Sequence, residues 1–282
     1  MIKTQALVSV VIPCYNAERF IKQTINSVLK QTYQNFEILV INDGSTDNSL
    51  NFIQSYTDSR IAVIDKANSG VSDTRNIGYQ KSKGQYILFL DSDDVISENY
   101  FSSAIDFLEN NRDYSFCTFH IRHIDENDKI IENIPNKRGT YQNIQEEIVT
   151  FNTDVSTCPS AYLYRKEFLD KNNIFFSKKM SSPADKYYLL CVGQLGKGNL
   201  IDIKIAYLFY RINKSSMSNR ITDKLLLEQE FFYTETIKNK LLPKYLEKKF
   251  SKKMSYQLIS TFVRLKEYKK VIKYSLIYLN NI

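Results

Sequence analysis

The chain has 282 residues, of which 43% are hydrophobic and 24% charged, and its formal net charge is +7. These values are typical of one large globular domain, or of a domain with an appendage, and they exclude a disordered chain. Its apolar runs are shorter than the ~20 residues of a membrane span, and residues 6–14 are too short for a secretory signal. Four scattered cysteines predict reduced thiols, so we expect a cytoplasmic protein.

The first 98 residues alternate between predicted strands and helices. Short apolar runs predict buried strands at residues 9–13, 36–41, 61–64 and 86–90. Between them, apolar residues at helical spacing predict a helix over residues 17–29. Turn residues then begin two further helices, one after Thr46 or Asp47 and one that carries Arg75. This alternation predicts an α/β fold with a mostly parallel sheet and helices on its faces.

Polar residues follow three of these strands, at the point where each strand ends. Tyr15-Asn16 follows the first strand, Asp43-Gly44 the second, and Asp91-Ser-Asp-Asp94 the fourth. Because the carboxyl ends of parallel strands lie along one edge of a sheet, where open α/β sheets bind ligands, we expect one shared site there. The chain has no P-loop and no Gly-x-Gly-x-x-Gly motif, which argues against an NTPase or a dinucleotide enzyme.

The segment Asp91-Ser-Asp-Asp94 places three carboxylates directly after an apolar strand. Their mutual repulsion has to be offset, and a hard divalent cation bound through oxygen ligands does this. These residues therefore suggest a Mg²⁺ or Mn²⁺ site that holds a phosphorylated ligand. The alternative is a solvated turn in which an aspartate caps the next helix.

Four motifs occur in order within residues 8–110. They are Val11-Ile-Pro-Cys-Tyr-Asn16, Val40-Ile-Asn-Asp-Gly-Ser-Thr-Asp47, Gly70-Val-Ser-Asp-Thr-Arg-Asn-Ile-Gly78 and Phe89-Leu-Asp-Ser-Asp-Asp94. In number, order and spacing they resemble the motifs of the family 2 inverting glycosyltransferases. The resemblance implies a GT-A domain over residues 1–220, in which residues 1–98 bind a nucleotide sugar and residues 99–220 bind the acceptor.

The resemblance also implies roles for the residues at matching positions. Pro13 and Tyr15 would flank the nucleobase, and Asp43 would accept a hydrogen bond from the base N–H, which favours uracil. Asp93 would bind a Mn²⁺ or Mg²⁺ ion directly, and Asp91 would contact the ribose or a metal-bound water. The donor-binding set is Pro13, Tyr15, Asn16, Asp43, Asn68, Arg75, Asn76, Asp91, Ser92 and Arg211. For Asn76 a structural role in its helix is the alternative, and Asp73 departs from the small residue that many relatives carry there.

The second half has a less regular pattern. It predicts a helix over residues 99–108, a strand over 114–123, a polar hairpin or loop over 125–137, and a strand over 162–165 that leads to a helix at Lys166. Apolar and aromatic residues after Asp185 predict a helix that begins near this aspartate. Relatives often show Glu-Asp before a similar helix, so the resemblance implies that Asp185 is the general base, although Ala184 replaces the glutamate. The alternatives are that Asp185 only caps its helix, or that Glu98 or Asp154 is the base.

A loop after a predicted strand at residues 206–210 resembles the family's Tyr-Arg segment with a downstream Ser-Met-Ser. Arg211, Lys214 and the hydroxyls of this loop could close on a diphosphate through charge-assisted hydrogen bonds. The alternative is a solvated basic loop.

Residues 221–282 form a predicted helical extension that is interrupted at Pro243. From residue 238 onward, twelve Lys or Arg stand against two Glu, so the positive charge of the chain belongs to this extension. Lysines among apolar residues at positions 262–279 indicate a basic amphipathic helix. It could contact the inner face of an anionic cytoplasmic membrane, pack on the catalytic domain, or pair with a second subunit in a homodimer. No nucleic-acid-binding motif is present.

Together these features predict a metal-dependent enzyme that moves a sugar from a UDP-sugar to a hydroxyl of a saccharide or lipid-linked oligosaccharide acceptor in bacterial surface-glycan synthesis. A nucleotidylyltransferase is an alternative, but it needs a basic, glycine-rich loop near the first strand, and residues 14–17 have neither glycine nor lysine. A non-catalytic scaffold that binds nucleotide sugars is a third possibility, and it would have no need of Asp185.

Overall fold

The computed structural model describes residues 5–134, 139–141, 144–150, 156–200, 206–213 and 222–281. Its first part alternates strands and helices: β1 (Val8–Cys14), α1 (Ile21–Leu29), β2 (Phe36–Asp43), α2 (Ser49–Gln54), β3 (Ile61–Lys66), α3 (Val71–Lys81) and β4 (Tyr86–Phe89). These strands lie parallel in the order β3-β2-β1-β4. The α/β fold and the parallel sheet predicted from the sequence are therefore confirmed.

The middle strands of this parallel group are β1 and β2, and their burial explains why their sequences are so apolar. β1 is buried along its whole length, β2 is buried at all but one residue, and α3 packs on both strands. Gly78 lets α3 lie close to these strands, because a Cβ at this position would overlap the side chains of Val11 and Ile41.

The second part adds shorter elements. They are β5 (Val95–Ile96), α4 (Tyr100–Asn110), β6 (Phe116–Thr118), β7 (His120–Ile124), β8 (Ile130–Ile134), β9 (Gly139–Tyr141), α5 (Ile144–Thr150), a 3-10 helix (Pro159–Ala161), β10 (Tyr162–Arg165), α6 (Lys166–Lys171), α7 (Ala184–Leu195), β11 (Gly198–Leu200) and β12 (Tyr207–Arg211). β10 pairs antiparallel with β4 and extends the main sheet through β6, β11 and β9. A second sheet has the order β5-β12-β7-β8.

Two predicted elements differ from the structure. The strand predicted over residues 114–123 is divided at the buried Phe119, because β6 pairs within the main sheet and β7 within the second sheet. The helix predicted from residue 17 begins at Ile21, and residues 17–20 form a turn in which the N–H groups of Phe20 and Ile21 donate to the Ala17 carbonyl. Of the hairpin or loop predicted over residues 125–137, the described residues 125–134 form a hairpin arm, with β8 antiparallel to β7, and residues 135–137 lie outside the described part.

The C-terminal extension consists of α8 (Asp223–Lys238), α9 (Lys244–Arg264) and α10 (Tyr268–Leu279). Pro243 precedes α9 as predicted, and residues 265–267 form a second interruption. Phe232, Leu246 and Phe250 belong to the same continuous apolar core as the main sheet, so the extension is packed on the domain. The boundary predicted at residue 220 lies outside the described residues. Among those residues, no helix is both long enough and apolar enough to cross a bilayer.

Candidate active site

The predicted strand ends lie side by side at one edge of the main sheet. β1 stands between β2 and β4 and is parallel to both, so the polar residues after all three strands share this edge. Of the two residues predicted to flank a nucleobase, Pro13 is buried within β1, whereas Tyr15 is 51% exposed. Of these two residues, Tyr15 is therefore the one whose side chain a ligand could reach.

Asp43 and Asn68 hold two loops of this edge together. The Asp43 carboxylate accepts hydrogen bonds from the backbone N–H groups of Ser69 at 2.8 Å and Gly70 at 3.0 Å, and from the Lys66 ammonium group. The Asn68 side chain donates to the Asp43 carbonyl at 2.9 Å. Both carboxylate oxygens of Asp43 are therefore engaged by residues 66–70, and its contact with a nucleobase stays a prediction.

Asn16 supports the neighbouring turn. Its φ of 49° lies in the left-handed region, which asparagine tolerates better than most residues. Its Oδ1 accepts from the Thr46 backbone N–H at 2.8 Å, and its own N–H donates to the Ser45 hydroxyl at 3.1 Å. The Asn16 side chain thus joins the loops after β1 and β2.

The acidic segment after β4 forms a crowded cluster with Cys158. The thiol sulfur lies 3.9 Å from Asp91 Oδ2 and 3.8 Å from Asp94 Oδ2. Asp94 is almost fully buried, and its Oδ1 accepts from the Arg211 backbone N–H at 3.1 Å. The Asp93 Oδ2 accepts from the Asn213 side chain at 3.1 Å, and the Ser92 carbonyl accepts from the Thr24 hydroxyl at 2.9 Å.

The protonation of this cluster indicates what it can bind. Burial, with repulsion from Asp91, raises the pKa of Asp93 to about 6. Burial and repulsion from Asp93 and Asp91 hold the pKa of Asp94 well above its usual range. A divalent cation with oxygen ligands would relieve this repulsion, so the carboxylates fit Mn²⁺ or Mg²⁺.

The described residues bring potential ligand atoms of Asp91, Asp94 and Cys158 within 4.8 Å of one another. Burial and the nearby carboxylates keep the pKa of the Cys158 thiol well above its usual range, so it stays protonated and is a poor ligand for a hard cation. Asp94 is covered, which leaves Asp91 and Asp93 as the more accessible carboxylates. The prediction that these two hold the ion stays a prediction.

Arg75 joins the acidic cluster to the predicted base. Its Nη1 donates to Asp185 Oδ1 at 2.7 Å, and its Nη2 donates to Asp91 Oδ1 at 2.6 Å. The Arg75 side chain is only 3% exposed and lies over the Phe176 ring, 4.9 Å from its centroid. Residues that stand 16 and 110 positions from Arg75 in the sequence thereby meet at one guanidinium group.

Asp185 is the second residue of α7, and its carboxylate faces Arg75. Burial raises its pKa to about 6, Arg75 opposes this rise, and Asp91 adds to it. The side chain is 31% exposed, so a substrate hydroxyl could reach it. A carboxylate with such a pKa is well matched to proton transfer near neutral pH. Glu98, an alternative base, lies instead beside Thr32, and Asp154 lies outside the described residues.

Asn76 is engaged by the backbone of Phe176, and its contact with a donor stays a prediction. Its side chain donates to the Phe176 carbonyl at 2.9 Å and accepts from the Phe176 N–H at 3.0 Å. The amide is buried and both of its ends are used, so a direct contact with a donor would break both bonds. The structure therefore favours the structural alternative for Asn76.

The Arg211 guanidinium is also fully engaged within the chain, and its contact with a diphosphate stays a prediction. Its Nε donates to the Asp93 carbonyl at 2.8 Å, Nη1 to the Asp125 carbonyl at 2.8 Å and Nη2 to Asp128 Oδ1 at 2.6 Å. The side chain is fully buried, and its bond to the Asp93 carbonyl supports the backbone of the acidic segment. A diphosphate contact would require it to leave these acceptors. Lys214 and the Ser-Met-Ser segment lie outside the described residues.

Sequence reasoning missed several contributors. The Ser160 hydroxyl accepts from the Asp91 backbone N–H at 3.0 Å, next to Cys158. Phe176 stacks on Tyr188 of α7 with ring centroids 4.0 Å apart. Ser160 and Phe176 come from segments that carry no motif, and only the packing of distant elements brings them to the site.

The chain is similar to known proteins in sequence and in fold. Residues 9–172 match the model of a family described as glycosyl transferase family 2. The chain is similar to the uncharacterized glycosyltransferase EpsJ of Bacillus subtilis, with 33% identity over 189 residues that cover 65% of this chain and 55% of EpsJ. It is also similar to the glycosyltransferase GlyG of Streptococcus pneumoniae, with 42% identity over 96 residues that cover 33% of this chain and 32% of GlyG.

Among solved structures, the chain resembles residues 1–349 of TarS from S. aureus in complex with UDP-GlcNAc. The TM-score is 0.75 at 19% identity, and the match covers 99% of this chain and 82% of that one. This likeness confirms the GT-A fold. The matched regions span between 22% and 65% of the lengths of four of the curated relatives.

Proposed function

The chain belongs to glycosyl transferase family 2, and on that premise we propose that it transfers a hexosyl or N-acetylhexosaminyl group from a UDP-sugar to a hydroxyl of a saccharide or lipid-linked oligosaccharide. The product would be part of a capsule, an O-antigen, a lipooligosaccharide or a similar glycan. The observation that carries the proposal is the buried Arg75 guanidinium, which joins Asp185 to Asp91. The complex of TarS with UDP-GlcNAc supports a uridine donor.

In the proposed reaction Asp185 takes the proton of the acceptor hydroxyl while the oxygen attacks the anomeric carbon. The bond between that carbon and the UDP oxygen breaks in the same step, so the configuration inverts and no covalent intermediate forms. The pKa of Asp185, raised to about 6, leaves it mostly ionised at neutral pH and still basic enough to accept the proton. Arg75 keeps the carboxylate in place, and holding both substrates in line supplies much of the rate.

We further propose that Asp93 and Asp91 hold a Mn²⁺ or Mg²⁺ ion, which would offset the charge that develops on the departing UDP. Tyr15, exposed at the end of β1, would stack on the uracil. The loop held by Asp43 and Asn68 would line the nucleotide. The remaining predicted donor residues, Pro13, Asn16, Asn76, Ser92 and Arg211, would act by shaping these loops.

Release of UDP tests the reaction class. The protein is incubated with a panel of UDP-sugars, Mn²⁺ and saccharide acceptors, and UDP and pyrophosphate are measured separately. We expect UDP release that depends on both donor and acceptor. Pyrophosphate release would instead identify a nucleotidylyltransferase, and tight binding of UDP-sugars without any product would identify a scaffold.

We also propose that the extension contacts the inner face of an anionic membrane. α10 exposes an apolar stripe of Tyr268, Ile272, Leu276 and Leu279, each 57–66% exposed, at helical spacing. Three lysines are exposed in the same region: Lys269 and Lys273 lie on α10, and Lys266 lies just before it. Apolar side chains flanked by lysines match the interface of an anionic lipid surface.

Vesicle binding tests this surface. Deleting α9 and α10 would uncover core residues such as Phe232 of α8, which packs on Phe250 of α9, so the double variant Ile272→Asn/Leu276→Asn is the better probe. We expect intact protein to bind anionic vesicles at low salt, the double variant to bind much less, and high salt to weaken binding because it screens surface charge. Leu227→Asn, an exposed leucine of α8, is the matched control.

Two results would contradict the membrane assignment. One is that the intact protein does not bind anionic vesicles at low salt. The other is a double variant that binds vesicles normally but loses a homodimer that wild type forms, since the stripe would then belong to a subunit interface.

A further inference from the structure

The loop before α7 brings Asp185 to the site and is held from one side by α3. Residues 172–183 form this loop. Asn76 binds the backbone of Phe176 at both ends of its amide, and the Ser72 hydroxyl donates to the Met180 carbonyl at 3.3 Å. Asp73, the residue that departs from many relatives, forms an ion pair with Lys178. These contacts fix the middle of the loop, several residues before Asp185.

Glu228 of α8 holds the same loop from the other side, directly before α7. Its carboxylate accepts from the Ser181 N–H at 2.9 Å, the Ser182 N–H at 3.1 Å and the Ser181 hydroxyl at 2.7–2.8 Å. Glu228 is only 8% exposed. It lies in the extension, beyond the residues 9–172 that match the family model.

Glu228 binds the two backbone N–H groups that come immediately before the N-cap residue Pro183 of α7. The first N–H groups of a helix have no partner within the helix, and at this end Pro183 provides no side-chain capping bond. A negative charge next to a helix N-terminus is favourable, and charge-assisted bonds to backbone N–H groups are strong and directional. Glu228 therefore anchors the backbone immediately before the first turn of α7.

We propose that Glu228 is a positioning residue for Asp185, so that the C-terminal extension completes the active site. This inference rests on the proposed role of Asp185 as the base. Arg75 orients the Asp185 carboxylate, and Glu228 fixes the backbone from which that carboxylate extends. Without Glu228 the base would lose its alignment with the acceptor hydroxyl, whereas the donor side, built from the loops after β1, β2 and β4, would keep its geometry.

Glu228→Gln tests the proposal, with Glu230→Gln as the matched control. Glu230 lies on the same helix and loses the same charge, but its bonds go to Lys270 at 2.9 Å and Tyr274 at 2.8 Å within the extension. We expect Glu228→Gln to lower kcat by about tenfold or more, because small misplacements of reacting groups are costly. The Kd for UDP with Mn²⁺ should stay that of wild type, and amide hydrogen exchange should accelerate at residues 181–187.

The control should show the opposite pattern. Glu230→Gln should accelerate exchange in α10 and leave kcat close to that of wild type. Ser181→Ala removes only the hydroxyl bonds, so we expect a smaller loss of kcat with an unchanged Kd. If Glu228→Gln does not fold, Ser181→Ala carries the test, and a wild-type kcat in Ser181→Ala then overturns the proposal.

Other outcomes also overturn it. Glu228→Gln could keep its kcat although exchange accelerates at residues 181–187, or both glutamate variants could lower kcat alike, which would indicate general destabilisation. Failure of the proposed function looks different. In that case wild type transfers no sugar, or Asp185→Asn stays active, while the exchange difference between the two glutamate variants remains.

Discussion

Asp185→Asn is expected to lower the rate of sugar transfer by at least about a hundredfold, since a positioned general base contributes ~10² to 10⁴ in rate. Asparagine keeps the shape of the side chain and its contact with Arg75 but cannot take a proton from the acceptor hydroxyl. UDP and Mn²⁺ should bind as in wild type, because the donor is held by other residues. The measurement is kcat with donor and acceptor, together with the Kd for UDP by calorimetry.

The matched control for this variant is Glu98→Gln, which changes the alternative base in the same way. Glu98 lies beside Thr32, and its variant should keep wild-type transfer. If Asp185→Asn transfers sugar within a few-fold of wild type, Asp185 only supports its helix. The replacement of the glutamate by Ala184 would then mark a motif that has changed function.

The same variant should change the pH profile. Asp185 must be ionised to act, and its pKa is raised to about 6 by burial. The rate of sugar transfer should therefore rise as the pH increases through about 6 and level off above it. The residual rate of Asp185→Asn should not show this rise. Burial also raises the pKa of Asp93 to about 6. Saturating Mn²⁺ keeps a coordinating carboxylate ionised, so the profile is measured under that condition.

Asp93→Ala is expected to remove the part of UDP binding that depends on metal. In wild type, UDP at ~100 times its Kd should stabilise the fold by roughly 2.7 kcal/mol, and Mn²⁺ should strengthen this binding relative to EDTA. Without Asp93 the ion loses a ligand, so both donor binding and turnover should fall. Thermal shifts with UDP and Mn²⁺, and with UDP and EDTA, measure the difference.

Asp106→Ala is the control for general effects of losing an aspartate, since the Asp106 side chain bonds to Asn110 on α4. An unchanged metal-dependent shift in Asp93→Ala contradicts the assignment of Asp93. If Asp94→Ala loses the shift while Asp93→Ala keeps it, the ion belongs to the group of Asp91, Asp94 and Cys158 instead.

The first half of the fold could be predicted because its signals are local. Each of β1 to β4 is a short apolar run, and the helices between them follow from spacing and turn residues. The second half depends on pairings between distant segments. β12 joins β5 to β7, and Phe119 divides one apolar run between two sheets. No local pattern contains that information.

The site shows the same division between residue type and arrangement. The motifs predicted Arg75, Asp91 and Asp185 as site residues, and the structure brings these three side chains into contact. They did not indicate that Asn76 turns to the Phe176 backbone or that Arg211 is covered, since a motif gives no side-chain direction. No local sequence pattern indicated the contacts of Glu228, because its partners lie 46 and 47 residues away in the chain.

The stereochemistry of the product tests the central claim most directly. Wild-type protein is given an α-linked UDP-sugar, Mn²⁺ and the acceptor found in the release screen, and the new anomeric linkage is read by proton NMR. A single displacement assisted by Asp185 predicts a β-linked product formed in step with UDP release. An α-linked product would contradict the account, since retention of configuration requires a different reaction path from attack assisted by one base.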